Sequence, residues 1–482
     1  MRACAVTHAL VGLEPRRVEV EAEVNDRGLP AFVIVGLPDR ACAEARQRVR
    51  SGIHAAELHF PTGRVTVNLA PAGLRKEGSG FDLAIALAIL AASRQVPRER
   101  LDEHASIGEL ALDGRLRRVG GVLAVAEGAR RAGLPHVLCP REAAAEAQLA
   151  GVDPVGVRHL AEAVAYLRGE LEAPSLEPVA GRPGAAPPDL ADVRGQERGR
   201  RALEIAAAGR HNLLLGGPPG TGKTMLARRL PGLLPPLTQE EALEVTRIHS
   251  VAGLLSPEQP LLVIPPFRAP HHSASTAAIV GGGPGIRPGE ASLAHRGVLF
   301  LDELPEFPRP ALEALRQPLE DGIVSVARAA GRAIFPARFQ LVASMNLCPC
   351  GARGDPALRC SCTAQRLAAY RGKLSRALLD RFDLVVPMPR PRAAELAAAP
   401  AEASAPVALR IAAAREAAEG RRTAAAEVLL SRAVDTLPLS GRGRARVARV
   451  ARTIAALAGS EHVEAEHVAE ALAYRNTEEL AA

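Results

Sequence analysis

The chain has 482 residues, a net charge of +7, 48% apolar residues and only 2% aromatic ones, with tryptophan absent. That length predicts two to four domains with sizeable cores, and the scarcity of aromatics argues against base stacking, leaving the phosphate backbone as the natural contact for any nucleic acid. Seven cysteines in so long a chain do not make a disulfide scaffold, and no apolar run nears the eighteen or so residues of a membrane span. Glu14, Arg16 and Arg17 interrupt any leader-like pattern, so a cytoplasmic location and no membrane partner are expected. Only three of the 60 basic residues are lysine (Lys76, Lys223 and Lys373), which reads as GC-rich coding and makes each surviving lysine conspicuous.

In chain order, residues 18–24, 31–35 and 65–69 read as strands, 81–92 and 122–131 as helices, 135–139 as a short strand and 160–167 as a closing helix. Pro174, Pro178, Pro183, Pro187 and Pro188 mark a semi-stiff linker. A second proline- and alanine-rich break covers residues 387–406. The expected units are therefore residues 1–171, a linker at 172–188, a core at 189–390, a linker at 391–404, and a unit at 405–482. This last unit is helical from 429 to 480, with apolar residues at three- and four-residue intervals. The class is α/β.

Residues 211–224 are the most informative stretch. Leu213 to Leu215 read as a buried strand, and Met225-Leu226-Ala227-Arg228-Arg229-Leu230 as the helix after it. Between them stands Gly217-Pro218-Pro219-Gly220-Thr221-Gly222-Lys223-Thr224, a phosphate-binding loop in the strand–loop–helix setting that it requires. Its glycines let backbone N–H groups turn inward around phosphates, and the helix N-terminus adds its positive dipole end. The loop through Met225 is the candidate ATP-binding set, with Lys223 reaching the β- and γ-phosphates and Thr224 ligating magnesium. Gly297-Val298-Leu299-Phe300-Leu301-Asp302-Glu303 reads as a buried parallel strand ending in two acids. Asp302 is expected to hold the magnesium through water, and Glu303 to orient and polarise the attacking water.

The strand at 340–346 ends in Asn346, whose amide can bond the γ-phosphate or that water without adding charge. Leu378-Leu379-Asp380-Arg381-Phe382-Asp383 sets Arg381 on a loop before another strand. There an arginine can complete the charge clamp on phosphoryl transfer or make an ordinary surface ion pair. Cys348-x-Cys350 and Cys360-x-Cys362 supply four thiolates, the number for a structural zinc, although the spacing is C-x-C rather than C-x2-C. Reduced thiols bracing a loop are the alternative.

The order of these motifs (P-loop, Val-Leu-Phe-Leu-Asp-Glu, Ala-Ser-Met-Asn, Leu-Leu-Asp-Arg-Phe-Asp) resembles the AAA+ ATPases of the magnesium-chelatase branch. The text between narrows the resemblance to the ComM/YifB group: Phe267-Arg268-Ala269-Pro270-His271-His272-Ser273, Gly281-Gly282-Gly283, Arg287-Pro288-Gly289-Glu290 and Leu293-Ala294-His295. The first unit agrees through Gly28-Leu29-Pro30, Val35-Gly36-Leu37-Pro38-Asp39, Val67-Asn68-Leu69-Ala70-Pro71 and Arg75-Lys76-Glu77-Gly78. So does Val450-Ala451-Arg452-Thr453-Ile454-Ala455 near the end.

The resemblance implies an αβα AAA+ core with a parallel sheet, a C-terminal helical lid, and an N-terminal α+β unit like the proteolytic domain of Lon. It implies ATP and magnesium, Asn346 as first sensor, Arg381 as a finger on a neighbouring subunit's nucleotide and Arg442 as second sensor, hence a ring, most simply a hexamer. It also implies an insertion at about 271–290 and a hairpin at about 324–338, both facing a central pore. Arg328 and Arg332 on that hairpin are either grips on a phosphate backbone or plain solvent-facing charges. The stretch 390–427 is alanine-rich and shorter than in the family, and Leu347 stands where many relatives carry proline.

Lon-type peptidases activate a serine with a lysine, in text resembling Gly-Gly-Leu-Lys-Glu-Lys. Here the run is Gly120-Gly121-Val122-Leu123-Ala124-Val125, and no lysine lies between Lys76 and Lys223. Ser79 therefore lacks an activating amine, and a binding or assembly role is expected in place of peptide hydrolysis. The function implied by the resemblance is ATP-driven movement on branched or duplex DNA, as in branch migration during natural transformation. The alternatives are a protein remodeller and a chelatase-type ATPase subunit.

Overall fold

The computed structural model describes residues 1–25, 29–177, 179, 181, 187–283, 286–328, 331–417, 420–437 and 439–475. Gly28, Pro178, Pro183, the side chain of Arg328 and residues 476–482 lie outside the described set.

Two sheets organise the molecule. The first is mixed and seven-stranded, in the order Ala31–Val35, Arg64–Ala70, Glu14–Asn25, Arg2–Val11, His104–Ser106, His136–Pro140, Asp153–Val157. Glu14–Asn25 pairs antiparallel with both neighbours, and the last four strands run parallel. The strands expected at 18–24, 31–35, 65–69 and 135–139 all fall within it or within one residue of it. Arg2–Val11 carried no alternating signal because it lies mid-sheet: Ala5 to Ala9 are buried without a break. The helix Asp82–Ala92 is buried at every position and packs on Arg2–Val11 and Glu14–Asn25, which is why it is apolar all round. Among the described residues no helix is long and apolar enough to cross a membrane.

The second sheet is parallel, in the order Phe267–Arg268, Val298–Leu301, Gln340–Met345, Leu213–Gly216, Leu384–Pro387. Its side chains alternate between two cores. Leu213, Leu215, Val298, Phe300 and Val342 face one apolar cluster, and Leu214, Leu299, Leu301, Leu341 and Ala343 face the other. Helices therefore cover both faces, and the polar strand ends meet at one edge. The helices Ser404–Glu416, Ala424–Thr436, Gly441–Leu457 and Ala465–Ala473 share the first of these clusters, packing Gly441–Leu457 on Glu197–Gly209. The proline- and alanine-rich stretch at 387–406 contains the helix Ala393–Ala397 and the start of Ser404–Glu416. Alanine is the strongest helix former, so that composition signals helix as readily as linker.

The helix Gln239–Val251 joins the two lobes. The Glu146 carboxylate accepts from Ser250 Oγ at 2.5 Å, Arg118 Nη2 at 2.7 Å and Leu123 N at 3.1 Å. Arg247 pairs with Glu127, and Gly121 N donates to Ser250 O at 2.8 Å. Leu13, on the turn between the first two strands, enters the apolar cluster of Ile248 and Phe335. Phe335 belongs to the antiparallel hairpin Ile323–Arg328/Gly331–Pro336, found where the resemblance placed one.

Candidate active site

Three parallel strands deliver the nucleotide-site residues to one edge. Leu213–Gly216 leads into the glycine loop, where Gly220 and Gly222 take φ of +78° and +88° with open space where a Cβ would stand. Gly217 is held differently: a Cβ there would lie 2.1 Å from Met388 O, so the residue just past the last strand fixes the loop's entry. Thr221 Oγ1 closes the loop onto Pro218 O at 3.0 Å.

Lys223 is 8% exposed, and its Nζ donates to Gly217 O and Pro218 O, each at 2.8 Å, and to Asn346 Oδ1 at 3.2 Å. Burial pulls its pKa down to about 8, against the upward pull of Asp302 and Glu303. Thr224 Oγ1 donates to Asp302 Oδ2 at 2.7 Å. Asp302 also accepts from Ser344 Oγ and, at 3.1 Å, from Glu303 N. Glu303 itself has φ +54°, a left-handed conformation rare outside glycine and asparagine, and its carboxylate is half exposed. His272 Nδ1 stands 3.3 Å from Glu303 Oε2.

The donor set suits a phosphate and a hard cation: an open glycine cradle, a desolvated ammonium bonded only to neutral oxygens, and a hydroxyl–carboxylate pair at ligand spacing. Met225 is partly exposed just past the loop. Beside the loop lies a cavity of about 510 Å³, lined by Gly195, Gln196, Pro218, Leu347, Gly354 and Met388 among others.

Sequence reasoning missed Gln196. It has φ +54°, and its Nε2 bonds Thr221 O at 3.2 Å and Pro389 O at 2.7 Å. The signal available was a Gly-Gln pair opening a charged helix. Ser344 and His272 belong to the Ala-Ser-Met-Asn and His-His-Ser motifs, but only the fold brings them onto the two acids.

Arg381 and Arg442 are not part of this cluster. Both approach Glu320, Arg381 through Nη2 and Arg442 through Nη1 at 3.6 Å. They line a different cavity of about 720 Å³ with Arg446, Arg449 and Arg452. Arg381 is 7% exposed, and its Nε is buried without a hydrogen-bond partner, a donor left unmet in this chain.

Cys348, Cys350, Cys360 and Cys362 converge, with all four sulfurs within 4.8 Å of one another, so four thiolates are available to one metal. In the first lobe, Ser79 Oγ donates to Glu109 while the fully buried Lys76 spends its ammonium on Pro71 O. Arg332 Nε reaches Ser325 Oγ at 3.2 Å across the hairpin, with the arginine exposed.

Comparison with known proteins agrees with this architecture. The family model described as "Magnesium chelatase, subunit ChlI" matches residues 189–396. The models for "Subunit ChlI of Mg-chelatase" and the ChlI C-terminal region match residues 19–143 and 420–475. An uncharacterized protein of Mycobacterium tuberculosis is 48% identical over 497 aligned residues, 98% of each chain. The uncharacterized protein YifB of Escherichia coli is 43% identical over 496 (98% of this chain, 97% of YifB). The competence protein ComM of Haemophilus influenzae is 41% identical over 500 (98% of this chain, 97% of ComM). A Lon protease of Chloroflexus aurantiacus is 33% identical over 142 residues, 27% of this chain and 16% of the protease. By its parallel P-loop sheet, its helical C-terminal bundle and its full-length relatives, the chain belongs to the ComM/YifB family of magnesium-chelatase-like AAA+ ATPases.

Proposed function

We propose that the protein is a ring-forming ATPase that couples ATP hydrolysis to movement on branched or duplex DNA. The observation that carries the ring is the split between two half-sites. Lys223, Thr224, Asp302 and Asn346 share one hydrogen-bonded cluster, while Arg381 and Arg442 gather at Glu320 around another cavity. A complete charge clamp then needs one face from each of two neighbouring chains.

In this reading the glycine loop and Lys223 bind the β- and γ-phosphates, and Lys223 exchanges its carbonyl partners for phosphate oxygens. Thr224 and Asp302 would hold magnesium, which supplies charge neutralisation on the transferring phosphate. Ser344 and the Glu303 backbone fix the Asp302 carboxylate. Glu303 orients the attacking water and takes its proton, with His272 beside it. Asn346 senses the γ-phosphate, and Arg381 arrives from the neighbour, an arginine worth about 10³ or more in rate.

Support for DNA as the track comes from the family, from the similarity to the competence protein ComM, and from a basic balance of +7. Exposed Arg332 on the hairpin is the candidate backbone grip, with Arg328 at the end of the other strand, paired with Gly331. The experiment is ATP-dependent dissociation of a labelled four-way DNA junction, with Lys223→Ala alongside. Dissociation by the parent alone supports the motor. ATP turnover indifferent to DNA, with no dissociation, overturns it in favour of protein remodelling or a chelatase-type role.

A further inference from the structure

The loop between Leu347 and Thr363 carries four cysteines that the ATPase chemistry does not use. Cys348 Sγ lies 3.3 Å from Cys350 Sγ and 3.7 Å from Cys360 Sγ, and the Cys350–Cys360 separation is also 3.7 Å. Around a tetrahedral zinc with bonds of about 2.3 Å, ligand sulfurs stand about 3.8 Å apart. Four sulfurs packed within 4.8 Å leave room for one ion and none for a cluster of irons and sulfides. All four are free thiols. Arg353 N donates to Cys348 Sγ at 3.3 Å, and the Ala352 and Ser361 backbones bond Cys350 Sγ, the second-sphere support a metal thiolate takes. Gly351, directly after Cys350, turns the chain at φ +77°.

The same loop is built against the nucleotide site. A Cβ on Gly351 would stand 2.8 Å from Pro219 Cγ, and one on Gly354 would stand 2.9 Å from Leu347 Cδ1 and 3.8 Å from Pro218. Leu347 and Gly354 are wall residues of the 510 Å³ cavity beside the P-loop. Asn346, one residue before the loop, bonds Lys223. Asp355 ties the far side to Arg390 at 3.1 Å.

We propose that Cys348, Cys350, Cys360 and Cys362 bind one zinc ion, and that this ion holds the loop as a wall of the nucleotide cavity, so that loss of the metal weakens nucleotide binding. The second half rests on the reading of the P-loop cavity as the ATP site. Without the ion, four mutually close sulfurs have no common partner, and Gly351 and Gly354 are left to the Asp355–Arg390 pair, the loop's own backbone turns and its packing to stay on Pro218 and Pro219. The ion is structural, since all four positions of a tetrahedron are filled by protein.

The test uses the full chain purified without chelator. Elemental analysis should give about one zinc per chain, falling below a tenth in Cys350→Ser, while Cys4→Ser, at an exposed cysteine outside the loop, keeps its zinc. A fluorescent ATP analogue should bind about tenfold more weakly to Cys350→Ser. The parent, stripped with a mercurial and chelator, should show the same loss, and added zinc chloride should restore binding. The stripping arm keeps the test valid should Cys350→Ser fold poorly. Parent protein with under a tenth of a zinc overturns the metal site. Zinc present but removable with unchanged nucleotide affinity overturns the coupling. A zinc-loaded parent that binds no nucleotide overturns the reading of the cavity, and the coupling falls with it.

Discussion

Nucleotide affinity should fall as the pH rises above 8, and the size of the fall follows from the burial of Lys223. In the free protein its ammonium is desolvated, touches only neutral oxygens and has a pKa near 8. A bound phosphate returns a strong counter-charge and lifts that pKa toward the ordinary lysine value of about 10.4. Because the bound value lies above the free one, affinity is full below pH 8 and is lost as the pH climbs through it. At pH 7 about nine free chains in ten carry the charge, and at pH 9 about one in eleven, so the dissociation constant should rise about tenfold, or about 1.4 kcal/mol. Titration calorimetry in buffers of different ionisation heats should show proton uptake approaching one per nucleotide at pH 9. Lys223→Arg, charged at every pH used, should bind more weakly but with a flat profile. A constant affinity from pH 7 to 9 in the parent, or no proton uptake, would refute the account of Lys223.

Glu303→Gln should keep nucleotide affinity within about twofold and slow steady-state hydrolysis by about 10² or more, measured by phosphate release. Hydrolysis near the parent rate would remove Glu303 from its role. Arg381→Ala should bind nucleotide normally and hydrolyse it about 10³-fold more slowly. Mixing it with Lys223→Ala should restore part of the activity, because each mutant supplies the half-site the other lacks. If no mixing ratio recovers turnover, the arginine does not act across a subunit boundary. Gly217→Ala puts a Cβ 2.1 Å from Met388 O and should lower unfolding stability by about 1–3 kcal/mol, read by urea denaturation.

How much the sequence disclosed depended on whether a feature was local. The P-loop, the acidic strand end and Asn346 are contiguous motifs, and parallel pairing of Leu213–Gly216, Val298–Leu301 and Gln340–Met345 brings them together. Gln196 and Ser344 belong to the same neighbourhood but act through long-range contacts, to Pro389 across 193 residues and to Asp302 across 42. No pattern in a single chain announces such pairs. The buried central strand Arg2–Val11 hid for a related reason: a segment covered on both faces loses the alternation that marks a half-exposed strand. Arg381 and Arg442 were legible one at a time, while their meeting at Glu320 depended on packing of the C-terminal helices.

The bridge formed by helix Gln239–Val251 limits how this protein can be taken apart. Producing the ATPase half alone, from Asp189 onward, would leave Arg247 and Ser250 without Glu127 and Glu146, and would bare the Ile248–Phe335 surface that Leu13 covers. The severed ATPase half would carry an adhesive patch and come out of solution, and the first half would carry the matching scar. Supplied together as two separate polypeptides, the halves should find each other again through that seam. The lobes are thus inherited as a pair: neither can be exchanged for an unrelated module without rebuilding the other's face.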